Sequence, residues 1–414
     1  MDKMNRQLNA EEYAFALKKA EEFNSNGKLT VAIFSDVYFP RMDGVLRVVD
    51  NVAQRLTELC NVVVFAPAPK DFHTEKNYLY FKVKSHYIKG LGYDLADPDS
   101  DERLKKMVDR LKIDVIHVHS PFSMGKFARQ VRKKKKCPMV ATFHSQYKKD
   151  IYKETKSKLL TYFVLKYIMR TFNAATEVWT MHSASARTLM DYGYKGKIFY
   201  MPNATDFVYP DGAEDKKLYI KSKHGINDEK VFLFVGRLVV QKNILFIADV
   251  LKVLKADGVK FKMLFVGDGS DRKVLERHVK ECGIEKEVVM VGSVSDQELI
   301  KDYYLTADLV LFPSKYDVSS IVQIEAAAMK TPCAFVEGSV TSCSVTRDRN
   351  GYIFPDDVDG YAKEVERVIK TDGEIERVGA NAYNELYVTW DKVVEDSFER
   401  YRELIETYKK KTAK

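Results

Sequence analysis

Residues 309–332 read LVLFPSKYDVSSIVQIEAAAMKTP. An apolar, strand-like run ending at Pro313 gives way to a polar turn. A helix-like run follows and stops at Lys330-Thr331-Pro332. Two acids bracket the join, Asp317 in the turn and Glu325 inside the helix, with VSSIVQI between them. The same alternation runs outward in both directions. Upstream lie LTVAIFSD, NVVVFAP, DVIHVHS, PMVATFH, ATEVWT and KIFYMPN, spaced by helix-length segments such as VLRVVDNVAQRLTEL. A second series comprises KVFLFVGRL, FKMLFVGDG, EVVMVGS, DLVLFPS and PCAFVEG. Apolar runs of strand length separated by helices predict parallel sheets covered on both faces.

Two such series predict an α/β chain with two Rossmann-like domains, divided in the polar segment NATDFVYPDGAEDKK, residues 203–217. We expect an N-terminal domain over 1–205, opened by an amphipathic helix at 10–23, and a C-terminal domain over 206–388. A closing amphipathic helix occupies 389–414; it has no strand partner of its own and is expected to pack on the first domain. The 414 residues suit two domains, and 45% apolar with 30% charged residues suits a soluble protein with ordinary cores. No apolar run approaches the ~20 residues that span a bilayer. The charged N-terminus does not read as a signal peptide. Five scattered cysteines with no Cys-x-x-Cys pair argue against disulfides and zinc and for a reducing cytoplasm. A net charge of +8 suits an anionic small molecule or membrane surface rather than nucleic acid.

Doubly wound sheets bind ligands beyond the carboxyl ends of their strands, so the residues there are the candidates. In the first half these are Gly44, opening a helix where backbone can approach an anion, and His144, ending PMVATFH. In the second, Arg237 and Lys242 flank a short loop that opens a helix, an arrangement suited to phosphate; two solvated surface cations are the plainer alternative. Gly267 and Gly269 lack a third glycine and read as a strand-to-helix turn. Ser319 and Ser320 would cap the helix that begins near Ile321 and leave its N–H groups for a pyrophosphate. Asp317 and Glu325 would then accept from sugar hydroxyls on either side.

Taken together, YFPRMDGVLRVVDNVAQRL, DVIHVHSPF, TFH, MPNATDF, GRLVVQKN, VGDGS, VGSVSDQELIKDYYLTADLVLFPS, YDVSSIVQIEAAA and NGYIF resemble the retaining nucleotide-sugar glycosyltransferases of family 4. The resemblance runs from about residue 29 to the final helix. It implies the GT-B fold, two Rossmann-like domains facing a cleft, with the last helix crossing back to the first domain. It implies a nucleoside diphosphate sugar as donor, UDP-hexose in our reading, and no metal or other cofactor. Gly44 would approach the diphosphate, Arg237 and Lys242 would neutralise it, and Asp317 would contact the transferred sugar. Glu325 would hold the ribose, His144 would lie at the sugar's far edge, and backbone at Val294 would pair with the base. The family's usual Glu-Gly-Phe-Gly is DVSS here, and EGSVTSCSVT carries one glycine, Gly338, where the family often has a glycine-rich loop. A nucleotide-sugar epimerase of the same architecture, and a partner subunit without activity, are the alternatives.

For the acceptor, residues 145–175 are rich in Lys, Tyr and Phe and follow RQVRKKKK. Such a segment reads either as a core helix with a solvated face or as a membrane-interface helix. The second reading predicts a peripheral protein of the cytoplasmic face, with Lys133–Lys136 attracting anionic lipid and Tyr162, Phe163 and Tyr167 inserting. Its acceptor would be a glycolipid or lipid-linked glycan.

Overall fold

The computed structural model describes residues 8–39, 44–69, 75–88, 93–315, 317 and 321–412. The chain divides into two compact units, Met1–Pro202 with Trp390–Lys414, and Asn203–Thr389. In the first unit the strands are β1 (Thr30–Phe34), β2 (Asn61–Pro67), β3 (Leu79–Val83), β4 (Ser85–Ile88), β5 (Tyr93–Ala96), β6 (Val115–Val118), β7 (Met139–Thr142), β8 (Glu177–Thr180) and β9 (Ile198–Tyr200). Seven of them form one parallel sheet in the order β3-β2-β1-β6-β7-β8-β9, and β4 and β5 form a small antiparallel hairpin. Every residue of β1, β2, β6, β7 and β8 is buried. That is why these runs are continuously apolar rather than alternating: helices cover both faces.

The second unit holds β10 (Lys230–Val235), β11 (Phe261–Val266), β12 (Val288–Gly292), β13 (Leu309–Leu311), β14 (Cys333–Val336) and β15 (Tyr352–Phe354), in the order β12-β11-β10-β13-β14-β15. In both sheets the order reverses beside the first strand, between β1 and β6 and between β10 and β13. These are the two places where a doubly wound sheet opens a ligand crevice.

The leading helix, Ala10–Ser25, starts on a capping box in which Asn9 and Glu12 satisfy each other's backbone N–H. Ala16 and Ala20 are buried on the core with Tyr13 and Leu17 packed beside them. The closing helix, Trp390–Thr412, lies in the first unit and packs on the Gly44–Leu59 helix. Its buried face is Trp390, Val393, Val394, Ser397, Tyr401, Leu404 and Ile405, while Phe398 is only half-buried. Tyr401 stacks on Trp179 of β8 at 5.2 Å, and Arg400 pairs with the buried Glu177. Truncating a buried aromatic such as Tyr401 to Ala costs about 3–5 kcal/mol, so this helix is part of the first unit's core.

Candidate active site

The loops after β10, β11 and β13 form the charged part of the second unit's crevice. Gly236 leaves β10 at φ +147, and the loop is fastened to its neighbour by Leu238 N–H to Asp268 O (3.0 Å) and Asp271 N–H to Leu238 O (3.1 Å). A Cβ at Gly267 would lie 1.9 Å from the Gly236 carbonyl oxygen, and one at Gly269 2.4 Å from that of Leu238. Close backbone packing therefore requires both glycines, in line with a turn rather than a phosphate cradle. The loop ends in the single turn Val240–Lys242 and passes through Asn243, at φ +61, into the helix Ile244–Ala256. Asn243 donates from Nδ2 to the Pro313 carbonyl (3.3 Å), which ties this loop to the one after β13.

That tie brings Lys242 to Asp317. Lys242 Nζ stands 3.1 Å from Asp317 Oδ1 and 5.2 Å above the Phe312 ring, and Ser314 donates its hydroxyl to Asp317 Oδ2 at 2.6 Å. Both charged side chains are largely shielded, at 13% and 20% exposure. The sequence paired Lys242 with Arg237 and aimed Asp317 at sugar hydroxyls; here both carboxylate oxygens of Asp317 are engaged by the protein. Arg237 is exposed, and its guanidinium pairs with no group among the described residues. Glu325 lies in the helix Ile321–Ala328, half-buried, where it accepts a 2.7 Å hydrogen bond from the Tyr304 hydroxyl. Burial, and then the Glu325 charge, hold that hydroxyl's pKa well above the ordinary tyrosine value, so Tyr304 stays a donor. Ile321 is the first residue of that helix; Ser319 and Ser320 lie outside the described residues. Val294, half-buried after β12, packs on the second unit's core.

In the first unit, Gly44 is the exposed first residue of Gly44–Leu59, and beyond its own helix no described residue comes within 4 Å of where its Cβ would be. Nothing described in the fold itself demands glycine there. His144 follows β7 and meets His119, which follows β6. His119 Nδ1 is 3.0 Å from His144 Nε2, with the rings stacked at 5.3 Å. His117, inside β6, lies 4.1 Å from the His119 ring and is held by the Tyr401 hydroxyl on Nδ1 (2.6 Å) and by Thr142 Oγ1 on Nε2 (2.7 Å). Burial pushes His144 down to about 4 and His117 to about 3, and holds His119 well below the ordinary value, so the row is neutral at pH 7. Asp36, after β1, caps the Ser123–Lys135 helix through Met124 N–H (2.9 Å), and burial raises its carboxyl to about 6.

The sequence reading gave no role to Tyr304, Ser314, His117, His119 or Asp36. For the two histidines the signal was present in DVIHVHS, since alternate residues of a strand that ends at a crevice point the same way. Asp249, His278 and Cys282 could hold a metal ion, their ligand atoms lying within 4.8 Å of one another. Cysteine spacing alone hid this group. Asp249 and His278 already hydrogen-bond at 2.7 Å and sit on helix flanks rather than on the crevice loops.

The Lys158–Ala174 helix buries Thr161, Ile168, Met169, Thr171 and Phe172 but exposes Leu159 (68%), Leu160, Tyr162 (58%) and Phe163 (57%) at its start. Tyr167, expected among the inserting aromatics, is instead half-buried against the core, with its hydroxyl 3.5 Å from the Phe122 carbonyl. The basic run is not beside the exposed group either. Arg132 bonds the Ala174 carbonyl at the helix's far end, and Lys134 and Lys135 are taken by the side chain and the carbonyl of Asp109. From Phe163 to Ala174 is about 16 Å at 1.5 Å per residue. Lys156, Lys158 and Lys166 flank the exposed apolar group in sequence, and Lys166 Nζ lies 6.0 Å from the Tyr162 ring centroid. Among the described residues, no helix is long and apolar enough to cross a membrane.

The two units thus carry two switch-point crevices, one charged and one built on histidines, and the comparisons with known proteins give their class. The family model for Glycosyltransferase Family 4 matches residues 42–208, and that for Glycosyl transferases group 1 matches residues 216–385. The chain belongs to these family-4, group 1 glycosyltransferases, which have the GT-B fold. It is 27% identical over 347 residues to alpha-monoglucosyldiacylglycerol synthase of Acholeplasma laidlawii, covering 79% of this chain and 85% of that protein. It is 24% identical over 314 residues to the Streptococcus pneumoniae enzyme of the same name, covering 73% and 70%. The structure of Anabaena HepE in complex with UDP superposes with a TM-score of 0.73 at 16% identity, over 91% of this chain and all of that one; that likeness speaks to the fold.

Proposed function

We propose that the protein transfers a hexose from a UDP-sugar to a diacylglycerol-based lipid at a membrane surface, with retention of anomeric configuration and without a metal. The observation that carries the reading is the Lys242–Asp317–Ser314 group at the β10/β13 switch point, with the exposed Arg237 on the same loop as Lys242. A diphosphate arriving there would take Lys242 from Asp317 and gain Arg237, so two cations supply the charge that a divalent ion supplies elsewhere. Glu325, oriented by Tyr304, would accept from the ribose, and backbone near Val294 would face the base. Gly44 would let the first unit's backbone approach the phosphates. Ser319 and Ser320, ahead of Ile321, would add N–H and hydroxyl donors.

Retention needs no protein base in this scheme. The donor's own phosphate oxygen takes the acceptor proton on the face from which the diphosphate departs, and the protein contributes position and charge. The lipid acceptor is supported by the names of the relatives and by the Leu159, Leu160, Tyr162 and Phe163 group with its flanking lysines, which suits a headgroup interface. The test is incubation with UDP-glucose and vesicles containing diacylglycerol in EDTA, with the product's anomeric proton read by NMR. An α-glucosyl lipid is expected. A free epimerised nucleotide sugar, or a strict requirement for Mg²⁺ or Mn²⁺, would overturn the reading.

A further inference from the structure

The histidine row contains one buried polar atom with no hydrogen-bond partner among the described residues. His119 is 1% exposed, its Nδ1 faces His144 Nε2 at 3.0 Å, and its Nε2 is buried without a hydrogen-bond partner among the described residues. One proton lies between the two rings, and either ring can own it. If His144 donates from Nε2, His119 must carry its own proton on its other nitrogen and buries an N–H with no acceptor. If His119 donates from Nδ1, the atom left over is a bare lone pair. An orphaned buried N–H is the rarer and costlier defect, so the second arrangement wins. A doubly protonated ring does not bypass the choice, because burial keeps both histidines neutral. His117 cannot intervene, since Tyr401 and Thr142 occupy both of its nitrogens.

We infer that His119 is a positioning residue that holds His144 in the Nδ1–H tautomer, so that His144 meets its ligand as a hydrogen-bond donor to an oxygen lone pair. The ring nitrogen that bears the proton is set by the bond the other nitrogen makes, and imidazole in water favours the opposite tautomer. This rests on the reading of His144 as a contact to the transferred sugar. On that reading the partner is a hydroxyl or ring oxygen of the hexose, and His144 takes no proton during the reaction.

The experiment is a nitrogen–proton correlation spectrum of the full-length protein at pH 7 with ring-¹⁵N histidine, the His144 signals being identified by their loss in His144→Ala. The expected result is His144 as Nδ1–H with a bare Nε2. His119→Asn, which keeps a donor close to the Nδ1 place, retains that pattern and most of the transfer rate. His119→Phe keeps a stacked ring without a donor; His144 then reverts toward Nε2–H, and kcat falls about 10- to 100-fold, the range for lost orienting partners, with KM for the donor changing less. A wild-type spectrum showing His144 as Nε2–H overturns the inference, and it needs no variant to fold. The assignment of His144 to the sugar is tested separately by the transfer rate of His144→Ala: an unchanged rate sinks that role and leaves the tautomer standing or falling on the spectrum alone.

Discussion

The two switch points are built from opposite materials. At β10/β13 a lysine and an aspartate sit 3.1 Å apart, each with its charge answered by the protein, and an arginine stands exposed nearby. At β1/β6 the carboxyl of Asp36 is buried and shifted up to about 6, and a row of three neighbouring histidines is held neutral. A site for a dianionic leaving group needs cations that can be redirected when the ligand arrives. A site that meets a neutral sugar needs fixed donors and acceptors without charge. The contrast lies in side chains, since the two sheets share a strand order around their first strand.

The comparison breaks most visibly at Lys242. Lys242→Ala removes the cation and leaves Asp317 unanswered beside the diphosphate, and we expect turnover to fall about 10²- to 10³-fold, as for the loss of one preorganised charge-stabilising donor. Circular dichroism should show an intact fold, and wild-type turnover would move the donor site elsewhere. Glu325→Ala should lower kcat/KM for the donor, mainly through donor KM. Next comes the exposed start of the Lys158–Ala174 helix, proposed to meet lipid: Phe163→Asp with Leu159→Asp should abolish sedimentation with anionic vesicles while sparing turnover of a detergent-dispersed acceptor. Charge reversal at Lys156 and Lys158 should weaken vesicle binding more than reversal at Lys133 and Lys136, about 1 kcal/mol per cation near the surface. Equal effects would mean that the basic run, not the exposed apolar group, makes the contact.

A smaller effect is expected in the first unit's response to acid. The folded-state pKa values of His117 and His144 are depressed below the free value, so the unfolded chain binds more protons between pH 6.5 and about 4, and stability falls as pH falls through that window. Asp36, raised to about 6, works the other way over pH 4–6, but one carboxyl opposes three histidines. The first unit's thermal midpoint should therefore drop on acidification, and more steeply in Asp36→Asn. The smallest change is Tyr304→Phe, which removes one hydrogen bond to Glu325 and should cost about 1 kcal/mol in donor binding.

The parallel sheets were legible because burial on both faces writes itself as unbroken apolar runs, whereas the strand orders that fix the reversal points came only with the structure. Lys242 and Asp317 were singled out because they stand in loops that follow strands, and Glu325 because it lies in the helix after one of those loops. Their partners were not. The Lys242–Asp317 contact accompanies a hydrogen bond from the Asn243 side chain to the Pro313 carbonyl, a tie between loops 70 residues apart that no local pattern encodes. Tyr304 was given no role, and its hydroxyl acquires meaning only once Glu325 is packed within hydrogen-bond reach of it. The basic run misled for a similar reason: its charge is plain in the sequence, but its neighbours, Ala174 and Asp109, are tertiary.

The central claim is that a nucleoside diphosphate binds the second unit through Arg237 and Lys242 without a metal. Titration calorimetry of UDP into the full-length protein in EDTA tests it directly. Saturable binding is predicted, weakened at least about tenfold in both Arg237→Ala and Lys242→Ala, since each loses a charge-assisted contact of roughly 1.5–3 kcal/mol. Affinity unchanged in both variants, or binding that appears only when Mg²⁺ is added, would contradict it.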